Sequence, residues 1–238
     1  MSRVQKVSYL SQVKVLHTWK QTNAGYGETL EIMFADKKGD KIQATCKRAY
    51  LVSLGSKCVV GEWKKISNFS VTDAKGHYRT TKHSKKITFI NLTKISDCNY
   101  HNKDMFLSLM YFEKVLSGNE NTSFLIDVIG QALDVGELQT IQCQNEKILK
   151  KIEFTLRDMS DMRLQCCITG KLAEILTREG KQPDIGDVCL IRFAKIGSYN
   201  GELCVSSNAF NSTLLLINPD IKEAQALKQM RVPLIIKL

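Results

Sequence analysis

Apolar and polar positions alternate through LEIMFADKKGDKIQATCKRAY (30–50), break at an Asp-x-x-Gly step and alternate again. Through IEFTLRDMSDMRLQCCITGKL (152–172) they do so a second time, breaking at Asp-x-x-Asp. Period-two alternation marks half-buried strands, and a polar step between two such runs marks a hairpin. The two stretches align without a gap at an offset of 122 residues. Leu30 meets Ile152, Glu31 meets Glu153, Ile32 meets Phe154 and Phe34 meets Leu156. Asp36 meets Asp158, Ile42 meets Leu164 and Gln43 meets Gln165. After each hairpin a short run (RAYLVSLGS; KLAEILTREG) predicts one or two helical turns. A Gly-acid step and another apolar strand follow (GEWKKISNFSV; GDVCLIRFAKI), then a turn and a last strand.

Each half therefore reads as strand, hairpin, short helix, hairpin. The fold class is all-β: two tandem five-stranded barrels of the oligonucleotide-binding (OB) type, each with a short helix between strands 3 and 4. About a hundred residues per copy suits such a domain. One large β-sandwich is the alternative, but a gapless repeat favours two similar units. The expected division is a first domain at 1–96, a linker at 97–123 and a second domain at 124–238. The linker carries DMFLSLMYFEKVLSGNENTSF, which starts like an amphipathic helix ending at Gly118 or else packs as an extended strap. Near the end, INPDIKEAQALKQM predicts a short helix with Pro219 at its first position and Asp220 in its first turn.

The net charge of +10 is unevenly placed. Residues 1–96 hold 18 Lys/Arg against 6 Asp/Glu, whereas residues 124–238 hold 14 of each. A first segment so unbalanced points to a polyanionic partner. The sharpest concentration is KGHYRTTKHSKK (75–86), between two strand-like runs, where Tyr78 stands alone among cations. In a hairpin, such cations hold phosphates and the aromatic offers a stacking face to one base.

Other chemistries find little support. No Gly-rich phosphate loop is present: GYGETL lacks the third glycine and ITGKL lacks the P-loop spacing. The four histidines show no H-E-x-x-H spacing, and the eight cysteines include no C-x-x-C pair. They read as buried free thiols in a reducing compartment, and neither a metal nor another cofactor is expected. Asp36 and Asp158 occupy equivalent turns and need no catalytic explanation, so an enzyme is not expected. The apolar runs are too short to span a membrane, and MSRVQKVSYL has no signal-peptide core. Trp63, Phe69, Phe89, Phe154 and Phe193 read as core.

The residues also resemble a family. HTWKQTNAGYGETLEIMFADKKGDKIQAT in the first half, and FLIDVIGQALDVGEL, FTLRDMSDMRLQCCITGK and LLLINPDIKEAQALK in the second, are similar to the two central DNA-binding domains of the replication protein A large subunit. More narrowly, they resemble the shortened plant relatives of that subunit. It implies two OB folds, a nuclear setting, and sequence-tolerant binding of single-stranded DNA in replication, repair or recombination. RNA, or a protein partner taken up by a barrel with weak or lost DNA binding, remains the alternative. By this resemblance Trp19 matches a tryptophan of the first strand, which either stacks on a base or covers the open side of the barrel. Tyr78 and Tyr199 match stacking aromatics of the hairpin between strands 4 and 5. Gln43 stands where the family has a contacting arginine, and Lys195 matches a contacting basic residue. Lys150 and Lys151 fall in a basic stretch of the family. Arg79, Lys82, Lys85 and Lys86 supply the charge around Tyr78. Lys47 and Thr169 replace a second stacking aromatic at the end of strand 3, so one platform per domain is expected to be lost. The family's N-terminal docking domain and zinc-bearing C-terminal domain find no counterpart, which puts assembly with the other replication protein A subunits in question.

Overall fold

The computed structural model describes residues 5–23, 27–75, 79–142, 148–199, 201–208 and 211–230. The chain forms two compact units, Met1–Leu107 and Ser108–Leu238. The stretch 97–123, expected as a linker, is shared between them.

The first unit contains β1 (Gln5–Asn23), β2 (Gly27–Ala35), β3 (Lys41–Lys47), β4 (Trp63–Asp73), β5 (Lys85–Thr88) and β6 (Lys94–Asp97). β1, β2 and β3 are antiparallel neighbours, β3 runs parallel to β5, β5 pairs with β4, and β4 returns to β1. The sheet is thereby closed, with β6 attached outside on β4. In the second unit α1 (Phe112–Leu116) leads into β7 (Ile126–Val135), β8 (Gln139–Gln142), β9 (Ile148–Arg157) and β10 (Arg163–Thr169). Then come α2 (Lys171–Arg178), β11 (Val188–Tyr199), β12 (Glu202–Ser206), β13 (Leu214–Ile217) and α3 (Lys222–Lys228). The ring β7–β9–β10–β12–β11–β7 repeats the same order, again with one parallel pair, β10 with β12. Five strands closed in this order are the OB fold. β6 and β13 are additions to the five, one on strand 4 of each barrel, and β8 extends β9.

The repeated hairpin keeps its register. Leu30 pairs with Cys46 as Ile152 pairs with Ile168, 122 residues on. Both turns are built alike. Asp36 Oδ1 accepts the backbone N–H groups of Lys38 and Asp40, and Asp158 Oδ1 those of Ser160 and Met162. The fourth turn residue is left-handed in each, Gly39 at φ 90° and Asp161 at φ 60°. Glycine and aspartate are among the residues that take up this conformation most readily. With the turns fixed, period two sends Ile32, Phe34, Ala44 and Cys46 into one core and Ile152, Phe154, Leu156, Leu164, Cys166 and Ile168 into the other.

Each barrel must also turn strand 4 from one partner to the next. In β4 the left-handed residue is Asn68 (φ 56°), between the stretch paired with β6 and that paired with β5. In β11 it is Phe193 (φ 53°), between the β13 and β12 pairings. The carbonyl exposed at each corner is met by a threonine hydroxyl. Thr93 Oγ1 donates to Asn68 O (2.8 Å) and accepts Ile90 N–H, while Thr213 Oγ1 donates to Phe193 O (3.1 Å) and accepts Asn208 N–H. In the second unit Asp127, itself buried, accepts Phe193 N–H, Ser108 N–H and the guanidinium of the fully buried Arg192. Strand 1 passes its neighbours closely there. A Cβ on Gly130 would meet Arg157 O at 2.8 Å and Phe112 Cζ at 2.9 Å.

Three expectations need amendment. Between strands 3 and 4 the second unit has the helix α2, but the first has only two 3₁₀ turns, Arg48–Tyr50 and Gly55–Lys57. Ser53, Gly55 and Ser56 are poor helix formers, and Gly55 lies close to Leu30, where a Cβ would come within 3.3 Å. The last helix begins at Lys222 with Ile221 as its cap, so Pro219 and Asp220 precede it. Trp63 is buried as expected, but beneath the segment after β6, edge-on to Tyr100 (4.5 Å) and Phe106 (6.1 Å), not inside the barrel. Lys14 helps hold that segment through the carbonyls of Asn102 and Asp104.

Two outcomes are expected. Thr93→Val keeps shape but leaves the Asn68 carbonyl unmet and lowers unfolding free energy by about 1–3 kcal/mol in denaturant titration, whereas Thr213→Val costs less at its carbonyl, because Asn208 Nδ2 also donates to Phe193 O at 2.8 Å. Unchanged midpoints would show that the corners do not need the hydroxyls. Burial raises the thiols of Cys46 and Cys167 to about 11 and those of Cys58 and Cys189 to about 12. These four therefore resist iodoacetamide at pH 8 in the folded chain and react once it is unfolded, read by mass spectrometry.

Candidate nucleic-acid interface

In an OB fold the outer side of strands 2 and 3, with the loops joining strands 1–2 and 4–5, forms the surface that takes up oligonucleotides. In the first unit, the residues of β2 that alternate with the core are Thr29, Glu31 and Met33, all buried although they point away from it. Glu31 is 2% exposed and receives four donors. Thr29 Oγ1 meets its Oε1 at 3.0 Å, while Gln43 Nε2 (2.7 Å), Thr45 Oγ1 (2.8 Å) and Lys86 Nζ (2.8 Å) meet its Oε2. A buried carboxylate is tolerated only when paired and hydrogen-bonded in this way.

The connection between β4 and β5 is seated on β3. Thr80 Oγ1 donates to Gln43 Oε1 and Thr81 Oγ1 to Lys41 O, both at 2.9 Å. Within that connection Arg79 donates to the carbonyls of Lys82 and His83. Lys85 pairs with the exposed Asp73, whose carboxyl it holds below the usual range. Lys82 is exposed, as is Lys47 at the end of β3. Trp19 lies directly across from Glu31 on β1, 6% exposed and stacked on His17 at 5.6 Å. Its indole N–H finds no partner among the described residues. Tyr78 lies outside the described residues.

In the second unit the corresponding positions of β9 are Lys151, Glu153, Thr155 and Arg157. Lys151 Nζ is 3.0 Å from Glu153 Oε2 and 5.4 Å from the centre of the Tyr199 ring, itself 56% exposed at the end of β11. Burial pulls the Lys151 ammonium down, but the hydrogen bond and charge of Glu153 outweigh it, and the group sits above the ordinary lysine value. Lys150 donates to Thr140 of β8, and Lys195 lies half-buried on β11 opposite Ser206. Thr169 is tied to Ser207 through its backbone N–H (2.8 Å) and its hydroxyl (3.0 Å).

The structure thus gathers Trp19, Gln43 and Lys86 around Glu31, and Lys151 beside Tyr199. It leaves Lys150 and Lys195 on separate strands. Sequence reasoning did not single out Glu31, Glu153 or Thr80 for the polar contacts they make on these faces. The signal for the glutamates was there: both stand at the outward phase of strand 2, and the repeat superposes them. One consequence is measurable. Lys86→Ala strands a buried carboxylate and costs about 1–3 kcal/mol in denaturant unfolding, whereas Lys85→Ala, across from an exposed partner, leaves stability nearly unchanged.

Comparison with known proteins agrees with this architecture. The family described as domain of unknown function DUF223 matches residues 4–118. The chain is 27% identical over 212 residues to a replication protein A 70 kDa DNA-binding subunit of Oryza sativa subsp. japonica, covering 85% of this chain and 22% of that protein. It is 26% identical over 213 residues to a second 70 kDa DNA-binding subunit of the same plant, covering 86% of this chain and 31% of that protein. The chain thus spans less than a third of the length of either. Among solved structures, that of a replication protein A heterotrimer bound to ssDNA matches 96% of this chain and 52% of its own, with a TM-score of 0.64 at 22% identity. On sequence and fold together, this chain of two consecutive OB folds is similar to the replication protein A 70 kDa DNA-binding subunits.

Proposed function

We propose that the chain binds single-stranded DNA on the outer faces of strands 2 and 3 of its two barrels, as a non-enzymatic, nuclear protein of replication, repair or recombination. The observation that carries this reading is the pairing of fold with placement. Each barrel sets lysines on the face an OB fold uses for oligonucleotides, and in the second barrel an exposed ring, Tyr199, stands beside one of them. The names of the relatives supply DNA as the nucleic acid. The cations bind phosphates without regard to sequence, and a ring stacks on any base. The first unit, with the whole charge excess, supplies most of the affinity. The other subunits of replication protein A are proposed as protein partners.

Fluorescence anisotropy of the full chain against labelled oligo-dT, the matching RNA and a duplex, at two salt concentrations, tests the proposal. Single strands are expected to bind more tightly than duplex, because only an unpaired base exposes a face for stacking. Affinity is expected to rise with oligonucleotide length to ~8 nucleotides or more, given ~4–16 per OB fold. Equal binding of duplex and single strand would leave only unspecific charge and sink the reading. Tyr199→Ala and Tyr78→Ala are each expected to weaken binding by ~1–3 kcal/mol with the salt dependence unchanged, since neither removes a charge. A lower melting temperature with unaltered affinity would remove that tyrosine from the interface.

A further inference from the structure

The two glutamates brought into register by the repeat end in the same chemical situation. Glu31 and Glu153 sit in the middle of strand 2, on its outward side, and each holds the ammonium of a lysine on the same face, Lys86 at 2.8 Å and Lys151 at 3.0 Å. The lysine is supplied differently, from β5 in one barrel and from the same strand in the other. The carboxylate is the shared part. A structural role alone accounts for Glu31 but explains Glu153 poorly. Glu31 also gathers Thr29, Gln43 and Thr45, but Glu153 has a side chain 30% exposed and a lysine partner.

We propose that Glu31 and Glu153 are built-in counter-ions of the two nucleic-acid faces, each occupying with its carboxylate the lysine that a phosphate of the strand would otherwise take. This rests on the reading of those faces as the binding surface. An oxygen of a carboxylate and an oxygen of a phosphate meet an ammonium at similar distances, so the two compete for one site. Taking Lys86 or Lys151 from its glutamate leaves an unpaired carboxylate beside the strand, and the net charge met by the phosphates does not rise. The glutamates therefore lower the charge-driven part of binding, the part shared by duplex and single strand. They leave stacking, which only single strands offer, as the larger share.

The salt dependence reports this directly. For single strands the log–log slope is about −0.7 per phosphate neutralised. Releasing one lysine should steepen the slope by about 0.7 and tighten binding about fivefold at 0.1 M salt. The experiment measures binding of oligo-dT and of a duplex by the full chain and by its Glu31→Gln, Glu153→Gln and Glu223→Gln variants across a salt series. The last substitution, on α3, adds the same net charge outside strand 2. Circular dichroism melts accompany each. The expected result is tighter binding and a steeper slope for Glu31→Gln and Glu153→Gln than for Glu223→Gln, with a larger gain on duplex than on single strand. If Glu31→Gln fails to fold, Glu153→Gln carries the test alone, since its side chain is partly exposed. Should the wild type bind while the strand 2 variants bind no better than Glu223→Gln, the counter-ion idea is overturned and the single-strand reading stands. Binding by the strand 2 variants where the wild type shows none would support it in its strongest form. Failure of every form to bind would overturn both.

Discussion

Closing a five-stranded sheet on itself obliges strand 1 to pair along both edges and strand 4 to change neighbours part-way along. Everything else in this chain is arranged around that requirement. β1 is long enough, at Gln5–Asn23, to run beside β4 and then beside β2. β4 and β11 each carry one left-handed residue where the partner changes, and a threonine from the chain beyond strand 5 meets the carbonyl exposed there. A buried carbonyl without a donor would cost about as much as a lost hydrogen bond. The two threonines are therefore part of the closure, and so are β6 and β13, which occupy the part of strand 4 that strand 5 leaves open.

The closed barrel has an inside, which takes the apolar phase of each strand, and an outside on which polar chemistry is optional. The two units use that freedom differently. The first buries a carboxylate and gathers donors from β2, β3 and β5 around it, with the β4–β5 connection drawn down through Thr80 and Thr81. The second keeps a more open face, where Lys151 lies between Glu153 and an exposed ring. Its deeply buried charges, Arg192 and Asp127, serve the strand 4 corner instead. On this arrangement a count of the lysines around the β4–β5 connection overstates the positive charge offered to a ligand, because Lys85 and Lys86 both have carboxylate partners. Surface charge as counted from sequence and charge as presented by a folded face are separate quantities.

Residue order alone was enough to read two all-β units, their hairpins with turns at Asp36 and Asp158, and the phase of every core position between 30 and 47 and between 152 and 169. These features are local: alternation has period two, a turn needs particular residues at particular places, and a repeat exposes both at once. Tyr199 was named only through the family resemblance, as an aromatic of the hairpin between strands 4 and 5, and its exposure comes from the structure. The difference between α2 and the two 3₁₀ turns was not legible, because similar short apolar runs suit either, and the space left by the barrel end decides between them.

What the sequence left open are the contacts made between strands far apart in the chain. Glu31 and Lys86 stand 55 residues apart, and they meet because β3 pairs in parallel with β5. The burial of Trp19, undecided from its surroundings in sequence, follows from its place across from Glu31. Thr93 and Thr213 are ordinary residues in sequence and acquire a role only where a strand turns its corner. Local patterning determined which faces are apolar and where the chain reverses. Closure of each barrel decided which polar side chains share a face, because that depends on which strand lies beside which, and no local pattern carries that information.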